Sequence, residues 1–214
     1  MLFCISFLFP SKEYLRLVLY TCPMAFQFPE NIVPECYPMA WLIGSWKGAG
    51  VMEYEGIEAQ GFLHELHIDN DTLGPYLRLR STTWLIEEDA GIIDKEISGG
   101  AMYAKLTKSD VWSDFSAYLR PNPTVEKQGE ATVLEGMSIS PSGYSATWAG
   151  IIQGPQIHMQ ADAIACTPNS PDYQGARIMG GLVESDLFFA YDMAAFGQEM
   201  ATYMSGRLSR ADLM

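Results

Sequence analysis

Apolar and polar residues alternate along much of the chain, which is the pattern of β-strands with one buried and one solvated face. In residues 157–163 the apolar side chains fall on odd positions and the polar ones on even positions. In residues 62–68, Phe62, Leu66 and Ile68 share one face with His64. From Trp41 onward such runs are separated by turn residues at short intervals, and no long helical pattern intervenes. This spacing predicts a meander of about ten antiparallel strands.

A sheet with one apolar face must cover that face, and this chain offers no long helices to do so. Closing the sheet on itself buries the apolar face and removes the exposed strand edges. The pattern therefore predicts an all-β fold, a single ten-stranded antiparallel up-and-down β-barrel. Short helical segments are predicted at residues 38–43 and 192–203, the latter because Met193, Phe196 and Met200 recur at helical steps.

Composition narrows the partners that such a barrel can have. The 214 residues include 13 Lys and Arg against 26 Asp and Glu, so the net charge is −13. An acidic surface repels phosphate backbones and anionic lipid headgroups, so we expect neither nucleic acid nor a membrane as partner. The scattered cysteines form no C-x-x-C pair, which predicts reduced thiols and no metal site; they are Cys4, Cys22, Cys36 and Cys166.

The first 36 residues differ in pattern from the rest of the chain. Residues 1–9 form an apolar run with no leading basic residues, and Lys12, Glu13 and Arg16 then interrupt the apolar pattern. The segment matches neither a signal peptide nor a membrane span. We therefore expect residues 1–36 to be a weakly ordered extension, residues 37–214 to form the barrel domain, and the protein to be cytoplasmic.

The most specific local motif is Gly44-x-Trp46-x-Gly48-x-Gly50, at the start of the first predicted strand. No helical pattern follows the motif, so it is not a phosphate-binding glycine loop. Glycines at alternate positions allow a strand to bend sharply or to approach another backbone closely. We expect a structural role for this motif, with Trp46 closing one end of the barrel.

At these residues the chain resembles the nitrobindins, β-barrel proteins similar to the lipocalins and fatty-acid-binding proteins. The resemblance extends from Pro38 to Arg210 and is strongest at residues 41–50, 77–84, 162–168 and 186–198. It implies a ten-stranded barrel around an apolar cavity. In nitrobindins this cavity holds ferric haem b through one histidine near the C-terminus, and with that haem the family binds nitric oxide and isomerises peroxynitrite to nitrate.

The resemblance places Tyr203 where the family has its haem-binding histidine. The family segment His-Leu-Ser-Ala-Arg-Leu corresponds to residues 203–208, and none of the chain's three histidines lies near it. Three interpretations of Tyr203 stay open. In the first, its side chain fills space in a barrel without haem. In the second, it binds a ligand carboxylate together with Arg207, which has the same strand parity, as in fatty-acid-binding proteins. In the third, its tyrosinate, favoured by Arg207, ligates ferric haem.

The sequence thus predicts a protein that binds a small hydrophobic ligand, with or without a carboxylate, in its cavity and has no catalytic residues. Tyr203 and Arg207 are the predicted polar end of the site. His64 is either a further ligand-binding residue or a histidine satisfied within the wall. We expect no cofactor; the alternative is haem b, held by Tyr203 or another non-histidine ligand in a peroxynitrite isomerase. Whether the barrel forms a homodimer stays open.

Overall fold

The computed structural model describes residues 31–87, 93–94, 96–125 and 127–211. In these residues the chain forms a 3-10 helix at Pro34–Leu42 and a short α-helix, α1, at Gly99–Lys105. The strands are β1 (Gly44–Tyr54), β2 (Ile57–Asp69), β3 (Leu77–Ile86), β4 (Lys108–Pro121), β5 (Lys127–Gln128), β6 (Ala131–Ser140), β7 (Tyr144–Gln153), β8 (Gln156–Cys166), β9 (Tyr173–Val183), β10 (Asp186–Ala195) and β11 (Ala201–Arg210).

Ten of these strands close into a barrel. Strands β1 to β4 pair in sequence order, β4 pairs with β6, and the order continues to β11, which pairs back with β1. All of these pairs are antiparallel, and the two-residue strand β5 only extends β6. The predicted ten-stranded antiparallel up-and-down barrel is therefore confirmed.

An apolar core fills one end of the barrel. The 3-10 helix contributes Cys36, Met39 and Leu42, which pack against inward-facing residues of strands around the barrel. Trp46 is fully buried there, its indole N–H donates to the Leu42 carbonyl at 2.8 Å, and the Arg210 guanidinium lies 4.3 Å from its ring centroid. Trp46 therefore joins β1 to the helix and closes this end of the barrel.

A second apolar cluster lies outside the barrel, where α1 covers the outer wall of β1 and β2. Met102 and Leu106 pack there against Ala49 and Leu63. A Cβ atom on Gly99 would lie 2.2 Å from the Arg207 carbonyl oxygen, so only glycine lets the helix approach β11 this closely. None of the described helices is long and apolar enough to cross a membrane.

A buried carboxylate, that of Asp186 in β10, anchors α1 to the wall. It accepts hydrogen bonds from Arg207 Nε at 2.6 Å, from Ser209 Oγ at 2.7 Å and from the Gly99 amide at 3.4 Å. Ser209 Oγ in turn accepts from the Gly100 amide at 2.9 Å. These bonds satisfy helix N-terminal amides that would otherwise lack partners.

The structure differs from the sequence expectations at the helical segments. The segment expected at 38–43 is present and begins earlier, as the 3-10 helix. The prediction of a helix at residues 192–203 is wrong, because this stretch contains the end of β10, a turn and the start of β11. Gly197, with φ of +76°, lies in the turn, and pairing with β9 and β11 outweighs the helical spacing of the apolar residues.

The beginning of the barrel domain also differs from the expected boundary at residue 37. Ile32 and Val33 pack against the core, and Cys36 is fully buried in it. The packed domain therefore includes residues before 37, while residues 1–30 of the expected extension lie outside the described part of the chain.

Candidate functional site

The strand registers determine which side chains face the barrel interior. Trp46 is opposite Leu66, and the neighbouring inward position Gly48 is opposite His64, so His64 faces inward as its alternation pattern predicts. Near the middle of the barrel, the inward-facing residues Phe115, Trp148 and Ile178 are only partly buried. Because these side chains point away from the outer solvent, their exposure indicates accessible space inside the barrel.

Tyrosines line the end of the interior opposite the 3-10 helix. The rings of Tyr54 and Tyr191 each meet the ring of Tyr203 edge-on at 6.2 Å between centroids. Tyr144 and Tyr173 lie 4.7 Å apart between centroids, and the hydroxyls of Tyr173 and Tyr191 share a hydrogen bond. Together they form a cluster, hereafter the tyrosine cluster, that presents several hydroxyls in an otherwise apolar interior.

Tyr203 reaches this cluster because β11 contains a bulge. Tyr191 of β10 is opposite Met204, whereas the next residue, Asp192, is opposite Thr202, so Tyr203 has no partner across the strand pair. Its ring therefore packs in the interior beside Met204 and Met52. Its hydroxyl accepts a hydrogen bond from the indole N–H of Trp112 and lies 4.0 Å from the Met52 sulfur.

The phenol of Tyr203 stays protonated in this environment. Burial is the main cause that raises its pKa to about 12, and the hydrogen bond from Trp112 opposes the increase. At neutral pH the side chain is thus an uncharged hydrogen-bond donor and acceptor.

Arg207 lies on the outer face of the barrel, away from the tyrosine cluster. Its Nε atom donates to Asp186 at 2.6 Å, and its guanidinium lies 5.2 Å from the ring centroid of Phe188. The expectation that Tyr203 and Arg207 share a face is wrong, because the bulge at Tyr203 interrupts the alternation between them. Arg207 therefore neither faces an interior carboxylate together with Tyr203 nor stabilises a Tyr203 phenolate.

His64 is buried in the interior, with 8% of its surface exposed. Its Nε2 atom shares a hydrogen bond of 2.8 Å with Ser81 Oγ, and Nδ1 has no partner among the described residues. The rings of Phe189 and Phe62 lie 5.2 Å and 6.2 Å from the imidazole. Burial lowers the pKa of His64 to about 4 and outweighs the opposing effect of Glu65, so the imidazole is neutral.

The glycines of the Gly44-x-Trp46-x-Gly48-x-Gly50 motif bring β1 unusually close to β11. A Cβ atom on Gly48 would lie 2.0 Å from the Arg207 carbonyl oxygen. One on Gly50 would lie 2.2 Å from the Ser205 carbonyl oxygen and 2.4 Å from the ring of Phe62. Gly44 has φ of +141°, in the region that favours glycine. The motif thus shapes the wall and makes room for the Phe62 ring.

The wall is incompletely paired next to the tyrosine cluster. Strands β8 and β9 pair only through residues 156–160 and 177–181, although both strands continue towards the loop that joins them. Inward-facing Ala161 and Tyr173 lie beyond the paired segment. This stretch without β8–β9 pairing adjoins the accessible interior.

No metal site accompanies these features in the described part of the chain. Its His, Cys, Asp and Glu residues include no group of three or more that could hold a metal ion. The two described cysteines, Cys36 and Cys166, are free.

A closed antiparallel barrel with an accessible, aromatic interior is the architecture of small-ligand-binding β-barrels. The profile of the THAP4-like, heme-binding beta-barrel domain matches residues 35–210 of this chain. The chain therefore belongs to this nitrobindin-like family.

Three similar proteins match this chain over nearly their whole length. A protein of Beutenbergia cavernae named ferric nitrobindin-like protein is 33% identical, over 87% of this chain and 99% of its own. A protein of Leifsonia xyli subsp. xyli named peroxynitrite isomerase is 30% identical, with the same two coverages. The crystal structure of Rv2717c from M. tuberculosis superposes with a TM-score of 0.64 at 19% identity, covering 84% of this chain and 98% of that one, and shares the fold.

Sequence reasoning missed much of the tyrosine cluster and its surroundings. Trp112 faces inward only because the β3–β4 register shifts beside Trp84, and such a shift has no counterpart in a period-two pattern. Tyr191 has the same parity as inward-facing Leu187 and Phe189, so its direction could be predicted once β10 was placed. Tyr173 faces inward because the β9–β10 register shifts at Ala195, and alternation alone could not predict this.

Proposed function

We propose that this protein binds a small hydrophobic ligand inside its barrel and does not catalyse a reaction on it. The observation that carries this proposal is the partial exposure of apolar side chains that face inward, among them Phe115, Trp148 and Ile178. Ligand sites in small barrels are apolar spaces with a few polar groups that orient the ligand. Tyr203 and His64 are the proposed orienting residues.

Haem is the ligand that the family description suggests, and the alternative function is a haem-dependent peroxynitrite isomerase. Tyr203 does not fit a ferric ligand as it stands, because its phenol is protonated, accepts from Trp112 and faces no cation among the described residues. His64 offers a neutral imidazole, yet Phe62 and Phe189 pack against it and Nε2 is bound to Ser81. We therefore propose a function without haem.

Hemin titration separates the two functions. We expect no saturable shift of the Soret band when micromolar hemin is added to the purified protein. A saturable shift that Tyr203→Phe or His64→Leu abolishes, while the surface change Tyr118→Phe preserves it, would instead establish a haem site in the barrel. Tyr118 is a suitable control because it is outward-facing and 52% exposed.

Binding of a hydrophobic ligand is measured with N-phenyl-1-naphthylamine, an uncharged fluorophore whose emission rises in apolar surroundings. We expect saturable binding of one molecule per chain, with displacement by non-fluorescent hydrophobic competitors. The absence of saturable binding by this fluorophore and by such competitors would exclude the proposed function.

A further inference from the structure

The charged residues of the described strands leave the barrel interior almost entirely uncharged. Among the described residues, two cations occupy inward-facing strand positions, Arg210 and Lys127, and both are at the closed end. Arg210 donates to the Ile43 and Trp41 carbonyls, and Lys127 is exposed in the short strand β5. The other cations of the described barrel strands lie on the outer wall, as Arg177 does with Asp192 and Lys108 does with Glu65. A carboxylate placed in this interior would find no cation near the tyrosine cluster in the described part of the chain, so its burial would be costly.

Two hydroxyl protons of the tyrosine cluster have no strong acceptor among the described residues. In the Tyr173–Tyr191 pair one hydroxyl donates to the other, and the second proton has no acceptor among the described residues. The Tyr203 hydroxyl already accepts from Trp112, and its own proton has only the Met52 sulfur, at 4.0 Å, as a weak acceptor. Two O–H groups are therefore available to a ligand at this end of the interior.

These hydroxyls are close to one another and stay protonated. The rings of Tyr191 and Tyr203 lie 6.2 Å apart between centroids, and Tyr173 is hydrogen-bonded to Tyr191. Burial raises the pKa of both Tyr173 and Tyr203 above that of a free phenol. The cluster thus presents neutral donors beside the incompletely paired segment of β8 and β9.

We propose that the ligand is an uncharged apolar molecule with a hydrogen-bond acceptor, such as a ketone or ester carbonyl, and that Tyr203 and the Tyr173–Tyr191 pair bind that acceptor. This inference rests on the proposed function and specifies its ligand class. It replaces the carboxylate ligand that the sequence had suggested, because the cation required for that ligand, Arg207, lies outside the barrel.

A matched pair of fluorescent probes tests this ligand class. The probes are cis-parinaric acid and its methyl ester, which share one hydrocarbon chain and differ in charge at pH 8. We expect the ester to bind at least about 10-fold more tightly than the acid, since only the acid brings a charge into the uncharged interior. Equal binding, or tighter binding of the acid, would overturn the inference while leaving the proposed function intact; binding of neither probe would overturn both.

Conservative variants test whether the hydroxyls take part. Tyr203→Phe and Tyr191→Phe are each expected to weaken binding of the ester about 3- to 10-fold, the usual effect of one neutral hydrogen bond. The outward-facing control Tyr118→Phe should leave binding unchanged. Unfolding curves check that the variants fold.

In the bound ester, the carbonyl stretching band should move to lower frequency with the wild-type protein and return towards its free position in Tyr203→Phe. A band unchanged by the variant would contradict direct contact between Tyr203 and the carbonyl.

Discussion

At the scale of single residues, burial sets the charge of the polar groups inside the barrel. His64 is neutral because desolvation lowers its pKa to about 4, and Ser81 binds only one of its two ring nitrogens. Tyr203 is neutral for the same reason, with its pKa raised instead of lowered because the charged form of a phenol is the anion. Both residues therefore provide polarity without charge.

The lowered pKa of His64 predicts a pH-dependent loss of stability. The unfolded state protonates His64 near pH 6.5 and the folded state only near pH 4, so the unfolded state binds more protons between these values. Stability should be unaffected by this group above pH 6.5 and decline as the pH falls towards 4, by about 3 kcal/mol in total.

Urea unfolding between pH 7 and pH 4 measures this effect. The His64→Leu variant should lack that part of the decline, whereas His158→Gln, a change at an exposed position, should retain it. Parallel pH profiles for the wild type and His64→Leu would contradict a buried, neutral His64.

At the scale of elements, two close approaches shape the barrel wall, namely β1 against β11 and α1 against the outer surface. The first depends on Gly48 and Gly50, and the second on Gly99 and the Asp186 carboxylate. Both bring backbone segments closer together than residues with a Cβ atom allow.

The approach of β1 to β11 predicts a position-specific penalty for an added methyl group. Gly48→Ala should lower the free energy of unfolding by about 2 kcal/mol or more, because the new Cβ would lie 2.0 Å from a backbone oxygen. Gly180→Ala is the matched control, since its Cβ would meet its nearest neighbours at 3.4 Å. Equal stability of the two variants by chemical denaturation would contradict the close approach.

Because the Asp186 carboxylate anchors α1, removing its charge should lower the stability of the protein. Asp186→Asn should destabilise the protein by about 2 kcal/mol, because it weakens the pairing of half-buried Arg207 and the hydrogen bonds to the start of the helix. Faster amide exchange confined to α1 and its surroundings should accompany the loss. The exposed residue Asp162 provides the control Asp162→Asn, expected to be neutral.

The regular strands could be predicted from the sequence, and the irregular positions that build the site could not. Alternation placed His64 inside correctly, because its stretch of β2 pairs regularly with both neighbours. It failed for Tyr203 and Arg207, since a bulge changes the direction of side chains without any mark in a period-two pattern. Helix α1 was not predicted because the two glycines at its start are typical of a turn, whereas the first of them, Gly99, is required by close packing on β11.

At the scale of the whole molecule, the charges and the aromatic residues are separated by the barrel wall. The chain has a net charge of −13. In its described strands, nearly every charged side chain points outward. The interior holds a neutral set of tyrosines, tryptophans and methionines around accessible space. This separation favours an uncharged ligand inside an acidic protein.

The location of the ligand is tested most directly by two neighbouring alanines of β8. Ala161 faces inward beside Trp148 and Tyr173, whereas Ala163 is opposite Thr147 and exposed on the outer wall. In titrations with N-phenyl-1-naphthylamine, Ala161→Phe should reduce the affinity at least about 10-fold by filling the interior, and Ala163→Phe should leave it unchanged. Binding that survives in Ala161→Phe, with the variant folded, would contradict a ligand site inside the barrel.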